Sequence, residues 1–77
     1  MLSDLDRAVL DFEGRFWRYA GAKEAAIVAE FGTTVTRHYQ RVAALLGRPE
    51  AVAYAPATVR RLRAARAVGR SGARRAG

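Results

Sequence analysis

The side chains with the most to offer chemically lie in the stretch T-T-V-T-R-H-Y-Q-R, from Thr33 to Arg41. Hydroxyls, guanidiniums and a carboxamide recur there at helical spacing, Thr36 with Gln40 and Arg37 with Arg41. Such groups donate and accept hydrogen bonds and break no covalent bonds. An Arg fork matches the guanine edge, a Gln carboxamide matches adenine, and small Thr and Ala side chains allow close approach to thymine methyls. Groups suited to bond-breaking are scattered instead. Ser3, Ser71, His38 and the Asp residues are not gathered by a strained elbow or a glycine-rich loop, so no catalytic residue and no enzymatic activity are expected. Asp4, Asp6 and Asp11 are better explained by the field of a helix N-terminus and by solvation. There is no cysteine and a single histidine, too few ligands for an ordinary zinc site, so no metal and no cofactor are expected.

The elements that must position this set follow from patterning. Ser3 with Asp6 three residues on approximates a capping box, which predicts a helix from Asp4. Leu5, Val9, Phe12, Phe16 and Tyr19 continue at spacings of four, three, four and three, a core stripe that predicts the helix runs to Tyr19-Ala20-Gly21. Leu10 and Trp17 form a second, narrower strip, so the helix touches two neighbours, or one neighbour and a second copy; the strip is assigned here to a dimer or partner contact. A second helix is expected from about Ala22 to Phe31, with Ala26, Ile27 and Phe31 inward and Gly32 as its stop. Thr33 and Thr34 offer a hydroxyl cap for a third helix from Val35 to Leu46, with Val35, Tyr39, Val42 and Leu46 as its apolar stripe. At about 100° per residue, Thr36, Arg37, Gln40, Arg41 and Ala44 fall opposite that stripe, and His38 falls at its margin, as a flank or phosphate contact. Pro49 can begin a single helical turn, and Pro56 a further helix anchored by Val59 and Leu62. No strand alternation occurs. The fold class is therefore all-α: a three- to four-helix domain over residues 1–68, containing a helix-turn-helix, with a basic disordered tail over 69–77.

Charge separates along the chain. Of the 77 residues, 1–50 carry seven basic and seven acidic side chains, so the net +7 comes entirely from seven arginines after residue 50. An uncompensated basic segment on a neutral globule suits a polyanion, and Arg suits phosphate through its bidentate fork. The acidic N-terminus and the lack of a long apolar run predict a cytoplasmic chain with no membrane contact. A domain this small has little room for a deep cavity, so no small-molecule substrate is expected.

The string L-D-F-E-G-R-F-W-R-Y-A-G-A-K-E-A-A-I, followed by E-F-G, T-R-H-Y-Q-R, L-L-G-R-P-E-A and V-R-R-L-R, resembles a family of short actinobacterial and actinophage proteins. The resemblance spans about Leu10 to Arg66. It implies a helix-turn-helix-like domain of unknown function, in which an apolar residue, Ser and Tyr are favoured where this chain has Thr33, Thr34 and His38.

Taken together, these features lead to the expectation of a transcriptional or phage regulatory factor that binds double-stranded DNA. Its expected contacts are Thr34, Thr36, Arg37, Gln40 and Arg41 on the third helix and Arg60, Arg61, Arg63 and Arg66 beyond it. A homodimer is expected, held partly by Leu10 and Trp17. Two rivals stay open: a module that docks on a protein partner such as the transcription machinery, and a sequence-indifferent RNA- or nucleoid-binding protein.

Overall fold

A computed structural model describes the backbone of residues 1–76 and the side chains of residues 1–67. It is all-helical: α1 (Asp4–Glu13), α2 (Ala20–Phe31), α3 (Val35–Leu46), α4 (Pro49–Tyr54) and α5 (Pro56–Ala76). The arginine-rich tail over 69–77 was expected to be disordered, but the backbone over 69–76 continues α5. Among the described residues no helix is long and apolar enough to cross a membrane.

Local chemistry sets most of these boundaries. The Ser3 hydroxyl accepts from the Asp6 amide while the Asp6 carboxylate accepts from the Ser3 amide, so the capping box is complete. The Thr34 hydroxyl accepts from the Arg37 amide at 3.1 Å and opens α3. Gly32 ends α2 in the left-handed region, φ 59° and ψ 34°, with its amide on the Val28 carbonyl at 3.0 Å. That conformation strains any side chain with a Cβ, which is why the sharp reversal into α3 falls on glycine. Pro49 and Pro56 each stand at the first position of a helix, so the expected single turn is a separate six-residue helix, and the described residues form five helices in place of the expected three or four.

The first helix is shorter than its periodicity implies. It stops at Gly14, whose amide bonds back to the carbonyls of Leu10 and Asp11, and residues 14–19 form a loop. The helical spacing of Phe16 and Tyr19 is therefore incidental. Phe16 is 90 % exposed and Tyr19 is exposed, where both were expected in the core. Leu10, expected on an outer strip, is 1 % exposed and lies in the core with Leu2, Val9, Val42, Leu45, Leu46, Ala51 and Val59. It cannot serve a dimer contact.

Helix α3 is the hub, packing against α1, α2, α4 and α5. Its buried face is His38, Val42, Leu45 and Leu46, which rotates the expected stripe so that Val35 is half-buried and Tyr39 is 40 % exposed. The N-terminus is clamped from the other side of the fold. Arg48 donates to Asp6 and Glu50, each at 3.1 Å, and the Met1 ammonium donates to Glu50 at 3.2 Å.

These contacts generate two tests. Phe12 is fully buried against Trp17, Phe31 and His38, so Phe12→Ala is expected to cost about 3–5 kcal/mol, whereas Phe16→Ala should stay within about 0.5 kcal/mol. Urea denaturation of the two variants checks the contrast. The Glu50 carboxyl is lowered to about 2 from an ordinary 4.5 by its own backbone amide, then by the Met1 ammonium and Arg48. Its folded pKa is depressed, so its contribution is present above the unfolded value and is lost as pH falls from there towards about 2. Between pH 5 and pH 2 the melting temperature of the parent chain should therefore fall more than that of Glu50→Gln.

Candidate nucleic-acid interface

The left-handed Gly32 and the extended Thr34 turn the chain through a corner of three residues, Gly32, Thr33 and Thr34, and α3 leaves it with its polar side outward. Thr34, Thr36, Arg37, Gln40, Arg41 and Ala44 are all exposed, the arrangement expected from their spacing. Arg37 and Arg41 form no ion pair among the described residues, although the charge of Arg41 reaches Asp6 and helps to hold its carboxyl low, after the larger effect of the Ser3 amide. Most other cations of the first fifty residues are paired. Arg7 binds Asp4, Arg15 grips both oxygens of Glu30 at 2.8 Å, Lys23 binds Glu13, and Arg48 holds Asp6 and Glu50. The outer face of α3 thus keeps two arginines and a carboxamide whose donors can turn to an external partner.

Beneath that face lies a polar cluster absent from the sequence-based site. Glu13, at the end of α1, is 2 % exposed, and its carboxylate is shared. One oxygen accepts from Lys23 Nζ of α2 at 2.9 Å, and the other lies 2.9 Å from His38 Nε2 of α3. An ionised carboxylate only accepts, so Nε2 is the donor. The His38 ring, 1 % exposed, is stacked on Phe31 and meets Phe12 and Tyr39 edge to face. His38 is therefore an interior strut of α3, in place of the expected flank or phosphate contact. Burial opposes the Lys23 ammonium, but its interactions with Glu13 and Tyr39 outweigh that and raise its pKa above the ordinary value. The signal was present in spacing: Glu13 follows Val9 by four and Leu10 by three, and His38 follows Val35 by three and precedes Val42 by four.

The arginines of α5 divide. Arg61 donates to the carbonyl of Glu13 at the end of α1, and Arg63 donates through Nε to the carbonyl of Leu46 at the end of α3, at 3.2 Å. Both were expected on DNA; both are exposed, and each also satisfies a carbonyl that a helix end leaves open. Arg60 and Arg66 are exposed. Trp17, expected at a dimer or partner contact, is half-buried with its ring 5.2 Å from Phe12, and its indole N–H is enclosed. With Leu10 in the core, the two do not form one external strip.

Residues 1–75 match DUF3263, described as a protein family of unknown function. The chain belongs to that family. No curated relative and no solved structure matches the chain. Membership of DUF3263 covers the α2–α3 corner, the buried Glu13 cluster and nearly all of α5.

The cluster makes its own test. Removing one member of a buried pair leaves its partners without compensation and costs about 3–5 kcal/mol. That is the range expected for Glu13→Ala in chemical denaturation, with Glu13→Gln nearer about 1–3 kcal/mol, since the amide keeps one acceptor. The double variant Glu13→Leu, His38→Leu should lose less than the sum of its two singles, because the sites share one interaction.

Proposed function

We propose that this DUF3263 protein is a small helix-turn-helix factor of a transcriptional or phage regulatory kind, binding double-stranded DNA with α3 as the helix that reads the major groove. The observation that carries this reading is the outer face of α3. Thr34, Thr36, Arg37, Gln40 and Arg41 are exposed together immediately after a tight corner, with no acidic side chain from Phe31 to Pro49. A second helix docked across a first, with its N-terminal turns outward, is how such units present side chains to base edges. Arg37 stands in the first turn and Gln40 in the second, the donor types that pair with guanine and adenine. The Glu13 and His38 hydrogen bond supports the same reading, since it fixes the rotation of α3 about its axis from within.

Phosphate contacts fall to cations outside that face. Arg60 and Arg66 are exposed on α5, and the chain beyond them adds Arg70, Arg74 and Arg75. Their part is sequence-indifferent, each phosphate contact contributing about 0.9 to the slope of log affinity against log salt.

The experiment is base-contact subtraction. A preferred duplex is first selected from a random pool with the purified chain. Arg37→Ala and Gln40→Ala are then titrated against that duplex and a scrambled one. Each should lose about 1–3 kcal/mol on the selected site and much less on the scrambled site, with an unchanged melting temperature. Failure of any sequence to enrich, or equal losses on both duplexes, would reject base reading by α3.

A further inference from the structure

Helix α5 and its neighbours leave a groove at the edge of the core, apart from the outer face of α3. Two open depressions compose it, and Leu62 lines both. One, of about 340 Å³, lies between α3 and α5 against Tyr39, Val42, Ala43, Leu46, Ala65 and Arg66. The other, of about 420 Å³, lies between the loop after α1 and α5, against Phe16, Trp17, Ala20, Lys23 and Arg61. Lys23 Nζ sits 5.3 Å from the Tyr39 ring centroid and joins the two. Phe16, Tyr19 and Tyr39 are exposed in this region. Phe16 leaves its ring open to solvent while the neighbouring Trp17 is half-buried, so apolar area at this rim is available to a surface outside the chain.

Charge says what that surface carries. Of the cations on the walls, Arg15 is paired with Glu30 and Lys23 with the buried Glu13, so Arg61 and Arg66 carry the charge that no acid matches among the described residues. From Ala51 to the end of the chain there is no acidic residue. A second copy is a poor occupant, because its own α5 would bring arginine against arginine. Nucleic acid is also a poor one, since phosphates would lie over Val42, Leu46 and Leu62. We propose that the groove takes an amphipathic helical segment of a partner protein, its apolar side on Tyr39, Leu62 and Phe16 and its flanks acidic. The small side chains of Ala20, Ala43 and Ala65 give such a helix room to approach closely, the helix-in-groove mode of recognition. This surface is separate from the outer face of α3, so the inference does not rest on base reading.

The test uses the full chain and a designed peptide of roughly fourteen residues, with Leu at i, i+3, i+4 and i+7 and Glu beside that stripe. A counterpart has Lys in place of every Glu. Binding is read by anisotropy of labelled peptide and by the emission of Trp17, the sole tryptophan, with unlabelled peptide. The acidic peptide should bind and change Trp17 emission, and the basic one should bind at least about tenfold more weakly. Ala65→Glu, at an exposed helical position, should weaken the acidic peptide about tenfold or more with an unchanged thermal melt, while Arg37→Ala should leave peptide binding alone. Absence of saturable binding by the acidic peptide, equal affinity for both peptides, or indifference to Ala65→Glu would each overturn the proposal. None of these outcomes bears on the selected-duplex titration of Arg37→Ala and Gln40→Ala.

Discussion

The carboxylate of Glu13 has two oxygens, and each is bound to a different helix. Lys23 takes one from α2 and His38 takes the other from α3, while Arg61 of α5 reaches the main-chain carbonyl of the same residue. A buried charge left alone would be expensive, and the attraction between buried partners is large only where geometry and hydrogen bonding are complete. The constraint therefore works in both directions. Helices α1, α2 and α3 must stand at one relative position for the carboxylate to be satisfied, and no apolar substitution at one site alone can replace it. This polar junction sits beside the apolar contacts of Val9, Leu10 and Val42 and adds a directional requirement to them.

The same economy governs the surface. Asp4, Asp6, Glu13, Glu30 and Glu50 are each matched to a basic partner, and Asp11 accepts from the Tyr54 hydroxyl at 3.0 Å. Acidic groups are thus largely absorbed within the fold, and what faces outward on α3 and α5 is polar or cationic. That asymmetry is the physical ground for proposing a polyanion at one face and an acid-flanked helix at another.

Sequence patterning located the corner well and the interior poorly. Thr34, Gly32, Gly47, Pro49 and Pro56 act through local backbone chemistry, so the limits of α3 and the starts of α4 and α5 could be read without knowing the fold. The outward set from Thr34 to Arg41 followed from the same limits. The end of α1 was misplaced because aromatic spacing past Gly14 imitates a helix, and the reversal at Gly14 is closed by main-chain bonds that periodicity does not encode. Glu13 and His38 are 25 residues apart, and only tertiary packing brings them together. Their types argued for the surface, although their spacing from Val9, Leu10 and Val42 argued for the interior. The capping contacts of Arg61 and Arg63 were hidden for a related reason: the carbonyls they reach belong to other helix ends, distant in sequence.

Those two arginines have a consequence for how the molecule comes apart. Helix ends ordinarily fray one at a time, each losing its last turn without involving its neighbours. Here α5 caps the C-termini of both α1 and α3, so unwinding α5 near Arg61 and Arg63 uncovers two distant helix ends in one event. The ends of α1, α3 and α5 are thereby tied to one another through two side chains.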